Sequence, residues 1–250
     1  MTHSVIDAHP DFESKILKNS RTVYVYLPPD YEDGEDVYPV LYMQDGQNLF
    51  DPAQAAFGIE WEAGKTADRL IGEGAMEPLI IVGIENTRER GEEYSPPFGD
   101  KPGRSDEYAR FLLKELKPFI DKEYRTRPGR DDTGIGGSSM GGLAALSVVI
   151  GEPAAFGHCA AFSPSVWYGG APFLAEFERT LPRMGHINFR ILVGKNEGGG
   201  MMKHGARAIR DIFRRSDHPR WRYREFANTR HDEASWAKQL PLVLPELYPA

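Results

Sequence analysis

The sequence contains a single cysteine, Cys159, among its 250 residues. One thiol cannot form an intrachain disulfide, and it cannot supply a cysteine-based metal cluster. We expect Cys159 to be a small buried thiol, as unpaired cysteines commonly are. Histidine pairs spaced as H-x-x-x-H or H-E-x-x-H are also missing, so we expect no metal ion and no other cofactor.

Long apolar runs are scarce as well. The longest stretches, 79–82 and 143–150, are far shorter than the ~18 residues that a membrane-spanning helix requires. Residues 1–10 have neither a basic start nor an apolar segment, so they do not resemble a signal peptide. These features predict a soluble, cytoplasmic protein without a membrane partner.

The sequence also lacks an excess of basic charge. The chain carries 37 acidic and 30 basic side chains, which gives a formal net charge of −7. Nucleic-acid-binding proteins usually have the opposite balance. The arginines between 207 and 230 make that region locally basic, but exposed aromatic residues are not interleaved with them. We therefore expect a solvated surface there and no nucleic-acid partner. The sequence does not indicate an oligomeric state.

Strand-like and helix-like segments alternate from about residue 40 onward. This order predicts an α/β protein whose central sheet is mostly parallel and has helices on both faces. The first strand, 22–27, is expected to run antiparallel to the strand at 40–43, because only a short, turn-rich segment separates them. The polar stretch 86–105 is predicted to be a long loop of functional importance. The predicted strands are 22–27, 40–43, 79–84, 133–136, 159–162, 190–193 and 221–226, and the predicted helices are 61–71, 106–124 (with Asp106 as N-cap), 140–150, 172–181, 206–215 and 232–240.

Residues 137–141 match the pattern G-x-S-x-G, with Ser139 at the centre. A short apolar strand precedes the pattern and a helix follows it, which is the setting of a nucleophile elbow. The two glycines would relieve side-chain collisions in so sharp a turn. Ser139 is the candidate nucleophile, in preference to Ser138 or to a serine that merely caps the helix. The backbone N–H of Met140 is then expected to bind an oxyanion.

A serine hydroxyl needs a base, and the base needs an orienting acid. In α/β enzymes with this elbow the chain order is serine, acid, histidine. That order leaves His204, His218 and His231 as possible bases. We favour His231, because it directly follows the last predicted strand and a short loop.

The acid should follow the strand at 190–193, and Glu197 lies there. A solvated loop carboxylate is the alternative interpretation of Glu197. The nearest rival, Asp232, opens a helix and is typical of an N-cap. Because Ser139, Glu197 and His231 must meet in one site, residues 1–250 are expected to form a single domain.

The chain resembles the esterase family of α/β-hydrolases, which includes feruloyl, acetylxylan and siderophore (enterochelin) esterases and proteins similar to formylglutathione hydrolase. The resemblance implies an α/β-hydrolase fold, with Ser139 as nucleophile, His231 as base and Glu197 as acid. It also implies that the loop after the strand at 40–43 supplies a second oxyanion N–H, from Gln47, although many relatives have His-Gly in that loop. The matching segments are 25–29, 38–48, 81–86, 93–96, 136–142, 162–165 and 231–233.

These features favour a serine carboxylesterase that hydrolyses a small soluble ester, linked to a sugar, a phenol or a siderophore, through an acyl-enzyme. The alternatives are a serine peptidase or thioesterase of the same fold, and a non-catalytic binding protein that has kept the fold. Trp61 and Trp167 follow strand-to-loop transitions, so they are candidate walls of a substrate pocket or, equally, packing residues. Arg88, like Arg90, lies in the polar loop and is a candidate for binding an anionic substrate group, or a solvated side chain.

Overall fold

The computed structural model describes residues 4–98 and 100–250. Residues 1–3 of the N-terminal segment and Gly99 of the predicted loop 86–105 lie outside the described residues. The strands are β1 (Val5–Ser14), β2 (Asn19–Leu27), β3 (Val40–Gln44), β4 (Ile80–Ile84), β5 (Thr133–Ser138), β6 (His158–Phe162), β7 (Asn188–Gly194) and β8 (Trp221–Phe226). The helices are α1 (Ala63–Gly72), α2 (Arg90–Glu93), α3 (Ser105–Phe111), α4 (Lys117–Glu123), α5 (Met140–Gly151), α6 (Val166–Thr180), α7 (Met201–Arg214) and α8 (Glu233–Leu247).

Within the described part of the chain, the strands form one eight-stranded sheet in the order β1-β2-β4-β3-β5-β6-β7-β8. The strands from β3 to β8 are mutually parallel, as predicted. β2 runs antiparallel, also as predicted, but its neighbours are β1 and β4. The expected pairing of β2 with β3 is wrong, because parallel ladders with β4 and β5 occupy both edges of β3.

The helices cover both faces of the sheet. Successive strand residues point to opposite faces, so Leu41 and Met43 join one buried cluster with α1 and α8, whereas Val40 and Tyr42 join a second cluster with α3 to α7. Cys159 is fully buried in the second cluster, as predicted, and burial raises the pKa of its thiol. The prediction of a mostly parallel sheet between two helical layers is therefore confirmed.

The helix predicted at 106–124 is interrupted. A π-helical turn, Leu112–Leu116, separates α3 from α4, just before Pro118 in the first turn of α4. Proline has no N–H to donate to the helix ladder, which accounts for an irregular turn at this point. The prediction of Asp106 as N-cap is wrong, because α3 begins at Ser105 and Asp106 lies in its first turn. Among residues 4–98 and 100–250, no helix is long and apolar enough to cross a membrane.

The parallel strands bring their carboxyl ends to one edge of the sheet. Asp45 follows β3, Ser139 follows β5 and Ser165 comes soon after β6. Glu197 and His231 come within a few residues of the ends of β7 and β8. Binding sites of open α/β sheets lie at this edge, so the candidate site is assembled there from segments that are distant in the chain.

Candidate active site

Ser139 occupies the sharp turn between β5 and α5. Its φ and ψ are 54° and −119°, a sparsely populated conformation of a kind that costs a non-glycine residue about 1–3 kcal/mol. The turn leaves no room beside it. A Cβ on Gly137 would lie 2.8 Å from the carbonyl carbon of Gly141, and a Cβ on Gly141 would lie 3.0 Å from a carboxylate oxygen of Asp45. Close approach of the backbone therefore requires glycine at 137, and a side chain at 141 would press on the Asp45 carboxylate, in agreement with the motif.

The side chains of Ser139, His231 and Glu197 form one hydrogen-bonded chain. Ser139 Oγ lies 2.8 Å from His231 Nε2, and His231 Nδ1 lies 3.2 Å from Glu197 Oε2. The structure thus brings together the three residues that the sequence selected. His218, another histidine considered as the base, uses both ring nitrogens elsewhere, on the carbonyl of Met184 and the N–H of Arg220.

The carboxylate of Glu197 is completely enclosed, with no exposed side-chain surface. Its Oε1 accepts a hydrogen bond of 3.0 Å from the backbone N–H of Gly194. A Cβ on residue 194 would lie 2.2 Å from this oxygen, so only glycine leaves space for the carboxylate. Because the backbone holds Oε1, the other oxygen faces the imidazole of His231.

The imidazole of His231 is held by packing as well as by hydrogen bonds. Its ring meets that of Trp236 edge to face, with centroids 4.9 Å apart and an interplanar angle of 86°. Trp236 Nε1–H in turn donates to Ser163 Oγ at 3.2 Å. Asp232 accepts a hydrogen bond from the N–H of Ser235 at 2.9 Å, so it is the N-cap of α8, as predicted. These contacts leave the imidazole ring of His231 little freedom to rotate.

The loop after β3 is anchored by the carboxylate of Asp45. Arg90 donates two hydrogen bonds of 2.7 Å, one to each oxygen, and Asn86 Nδ2 donates a third of 2.7 Å to Oδ1. Asp45 has a φ of 59°. A Cβ on the next residue, Gly46, would lie 2.3 Å from the carbonyl carbon of Gly83, so the loop backbone lies directly against β4.

Met140 and Gln47, the predicted oxyanion donors, each lie at the start of a helical turn. Met140 is the first residue of α5, and Gln47 lies in the 3₁₀ turn Gly46–Asn48. N–H groups in such first turns have no partner inside their own helix. Both therefore have the backbone setting that an oxyanion donor needs, at the same edge of the sheet as Ser139.

A second ion pair anchors α2, the short helix that carries Arg90. Glu93, at the end of α2, pairs with Arg21 of β2 at 2.8 Å, and neither side chain has exposed surface. Arg90 was considered with Arg88 as a candidate for substrate binding. In the structure it is the ion-pair partner of Asp45. The Asp-Gly pair directly after β3 was the sequence signal of a left-handed turn, but no local pattern indicated Arg90 as its partner.

The remaining substrate-binding candidates fall into different environments. Trp61 is only 3% exposed and packs against Trp236 and Phe162, so it belongs to the core and its proposed place on a pocket wall is corrected. It is buried because α8 covers it. Trp167 is 41% exposed at the start of α6, with Lys101 Nζ 5.7 Å from its ring. Arg88 is exposed and makes no hydrogen bond or ion pair with the described residues.

Sequence reasoning assigned no role to Ser165. Its hydroxyl lies 3.2 Å from Ser139 Oγ. Its position soon after β6, at the same edge as the other site residues, was the available signal.

Comparisons with known proteins place the chain among esterases. The model of the "Putative esterase" family matches residues 14–247. The chain belongs to this family. It is 29% identical over 183 residues to the ferri-bacillibactin esterase BesA of Bacillus subtilis (strain 168), an alignment that covers 63% of this chain and 58% of that protein.

Another esterase-family relative is an endo-1,4-beta-xylanase/feruloyl esterase of Xylanibacter ruminicola. It is 29% identical over 154 residues, which cover 59% of this chain and 20% of that protein. The chain thus spans less than two thirds of the length of either relative. A solved structure of a ferulic acid esterase matches with a TM-score of 0.77 at 22% identity, over 99% of this chain and 98% of that one. This match confirms the predicted α/β-hydrolase fold.

Proposed function

We propose that this esterase-family member is a serine hydrolase that cleaves a small soluble carboxylic ester through an acyl-enzyme. The observation that carries the proposal is the continuous contact from Ser139 through His231 to the enclosed carboxylate of Glu197, at 2.8 and 3.2 Å. A serine hydroxyl is a weak nucleophile by itself. It is activated when it contacts an imidazole that in turn contacts a carboxylate.

Acylation begins when Ser139 Oγ attacks the ester carbonyl carbon. The Oγ proton passes to His231 Nε2, and the carbonyl electron pair moves onto the carbonyl oxygen. Glu197 stays ionised, accepts the Nδ1–H hydrogen bond and stabilises the imidazolium that forms. The N–H groups of Met140 and Gln47 donate to the oxyanion, whose charge exists only in the intermediate and its flanking transition states.

The tetrahedral intermediate then collapses. The bond between the carbonyl carbon and the alcohol oxygen breaks, and the departing oxygen takes the proton from His231. Ser139 is left as an ester of the substrate acid. A water molecule that transfers a proton to His231 attacks this ester, and a second collapse releases the acid and restores the Ser139 hydroxyl.

The names of the relatives favour a small-molecule ester as substrate. One relative is a ferri-bacillibactin esterase and another a feruloyl esterase. The exposed ring of Trp167, two residues beyond Ser165, offers an apolar surface for such a molecule. The exposed guanidinium of Arg88, which pairs with none of the described residues, offers a cation. We propose that these two residues contact the substrate, whereas Trp61 supports the site from the core.

The test is the Ser139→Ala variant, assayed with p-nitrophenyl acetate. We expect kcat/KM to fall by at least about 10⁴-fold, because the variant lacks the attacking oxygen. Ser138→Ala is the matched control, since it removes the neighbouring hydroxyl of the same elbow, and it should retain activity within about threefold. A fluorophosphonate probe should label Ser139 in the wild type and leave Ser139→Ala unlabelled.

Three results would overturn the proposal. Near wild-type turnover by Ser139→Ala would remove the assigned nucleophile, and absence of labelling would favour a non-catalytic binding protein. Cleavage of peptides or thioesters, with none of simple esters across a panel of acyl and alcohol groups, would replace the substrate class.

A further inference from the structure

Ser165 places a second hydroxyl beside the candidate nucleophile. Its Oγ lies 3.2 Å from Ser139 Oγ, and the residue is only 1% exposed. Two backbone hydrogen bonds of 2.9 Å tie its segment to the elbow. One runs from the N–H of Ser165 to the carbonyl of Ser139, and the other from the N–H of Ser139 to the carbonyl of Phe162. The backbone therefore fixes the approach of the two hydroxyls.

The protons available in the site determine which serine donates the hydrogen bond between Ser139 and Ser165. The carboxylate of Glu197 can only accept, so the imidazole carries its proton on Nδ1 and its Nε2 is an acceptor. Ser139 has one proton, which it donates to Nε2 at 2.8 Å. Its oxygen is then left with lone pairs only. The hydrogen bond between the two serines must be donated by Ser165.

Among the described residues, Ser165 has no better acceptor within reach. Its other neighbour is the Sδ atom of Met202, at 4.0 Å. A thioether is a weak acceptor, and the serine oxygen is both closer and more basic. Met202 thus closes the far side of the hydroxyl without competing strongly for its proton.

We propose that Ser165 is an additional catalytic residue, which donates a hydrogen bond to Ser139 Oγ and stabilises this oxygen as the leaving group of deacylation. The proposal rests on the function proposed above, because it presupposes an acyl group on Ser139. It concerns a different oxygen from that of the oxyanion donors, which act on the carbonyl oxygen in both half-reactions.

The two half-reactions use this hydrogen bond differently. Before acylation, Ser139 Oγ is a hydroxyl oxygen that already accepts well, so the transition state gains little additional stabilisation. In the acyl-enzyme, Oγ is the alkoxy oxygen of an ester and accepts poorly. As deacylation expels it, negative charge develops on Oγ and the hydrogen bond strengthens. Only interactions that are stronger in the transition state accelerate a step, so Ser165 should act mainly on deacylation.

The step is balanced without any additional reactant. Water oxygen bonds to the acyl carbon, and one water proton passes to His231 Nε2. The carbon–Oγ bond then breaks, its electron pair moves to Ser139 Oγ, and this oxygen takes the proton from His231. Ser165 keeps its own proton throughout.

The test compares wild type with Ser165→Ala during turnover of saturating p-nitrophenyl acetate. Acid quenching and mass spectrometry give the fraction of enzyme acylated on Ser139, and this fraction together with kcat yields both rate constants. We expect the deacylation rate constant to fall about tenfold, and the acylation rate constant to change by less than about threefold. The acylated fraction should therefore rise.

Two further variants separate this role from a structural one. Ser147→Ala removes another buried hydroxyl, whose hydrogen bond among the described residues goes to the carbonyl of Leu143 in its own helix. This variant should leave the ratio of the two rate constants unchanged. Ser165→Cys keeps the shape with a weaker donor and should give an intermediate ratio. It also serves if the alanine variant does not fold.

The inference is overturned if the ratio of deacylation to acylation in Ser165→Ala and Ser165→Cys equals that of wild type, even if both rate constants fall. Ser139→Ala keeps this outcome distinct from failure of the proposed function. If Ser139→Ala is inactive and the ratio does not change, only the role of Ser165 is wrong. If Ser139→Ala is active, the proposed function fails first.

Discussion

Ser139 is flanked by two regions that are built in different ways. On the base side, formed by His231, Glu197 and Trp236, the side chains are held by aromatic packing and by a backbone N–H. On the loop side, formed by residues 44–48 with α2, the backbone is held by ion pairs, including the bidentate contact of Asp45 with Arg90.

The difference corresponds to the kind of group that each region has to hold. The base side holds a group that gains and loses a proton, and one enclosed carboxylate is the charge in direct contact with it. The loop side holds backbone N–H groups, which carry no net charge themselves, so nearby charges can serve to fix their position. We therefore expect changes on the base side to stop the reaction with little loss of stability, and changes on the loop side to reduce activity less and stability more.

In the comparison of the two sides, the largest effect is expected for Glu197→Gln. The N–H of Gly194 still needs an acceptor, so the amide oxygen should take the place of Oε1 and the NH₂ group should face His231. This amide favours the imidazole tautomer that is protonated on Nε2, which cannot accept the proton of Ser139. We expect kcat to fall about 10³- to 10⁴-fold with a nearly unchanged Tm, measured by esterase assay and thermal unfolding.

Asp232→Asn is the control for Glu197→Gln. It neutralises the acidic residue next to His231 but keeps an N-cap oxygen for Ser235, so activity should stay within about twofold. A Glu197→Gln enzyme with more than about a tenth of wild-type kcat would contradict the assigned role of Glu197 and the contrast between the two sides.

An intermediate effect is expected for Asp45→Asn on the loop side. The change keeps the shape and removes the charge that pairs with Arg90. Because Asp45 is buried, we expect the free energy of unfolding to fall by about 2 kcal/mol. We also expect kcat to fall about tenfold, because the N–H of Gln47 loses its fixed position, with little change in KM. Urea unfolding and steady-state kinetics measure the two quantities.

The matched control for Asp45→Asn is Glu73→Gln, which likewise removes the carboxylate charge from an ion pair, here the exposed pair of Arg69 and Glu73. Such surface pairs contribute little, so its cost should be below about 0.5 kcal/mol. Equal costs for the two variants would show that burial does not distinguish the Asp45 pair.

The smallest effect is expected for Glu233→Gln, at the boundary of the two sides. Burial raises the pKa of Glu233, the charges of Asp45 and Asp232 raise it further, and His231 opposes them. Above the raised pKa the folded protein holds a carboxylate that would be more stable in water, so the free energy of unfolding falls as pH rises from 4.5 through the folded pKa.

Glutamine carries no such charge, and it can still accept from Asn48 Nδ2. The variant should melt roughly 1–2 °C above wild type at pH 8, with the difference disappearing towards pH 4. Thermal unfolding between pH 4 and pH 8 checks the sign of this difference in Tm. A variant that is less stable than wild type at pH 8, or a difference in Tm that does not change with pH, would contradict the prediction.

The positions of the nucleophile, base and acid candidates could be predicted because each depends on local sequence. Ser139, Glu197 and His231 all come shortly after predicted strands, and parallel strands bring the residues beyond their carboxyl ends to one edge. The contact of Asp45 with Arg90 spans 45 residues, and that of Ser139 with Ser165 spans 26. Periodicity carries no information about such pairs, so the contact of Asp45 with Arg90 and the second hydroxyl were found only in the structure.

The fold shows the same limit. β1 was not predicted, because its sequence is polar at an exposed edge and Pro10 and Asp11 interrupt its ladder; pairing with β2 is what makes it a strand. Trp61 was a candidate for a pocket wall, with packing as the alternative, because it follows a strand-to-loop transition. Its burial depends on α8, which lies at the other end of the chain.

The strained backbone of Ser139 has a consequence for engineering. Glycine adopts positive φ without the steric cost that serine bears, so the residue that suits this turn best is one without the reacting hydroxyl. A library of this protein selected for heat resistance alone would be drawn towards glycine at position 139. A search for more heat-resistant variants must therefore measure catalytic activity as well as the amount of folded protein.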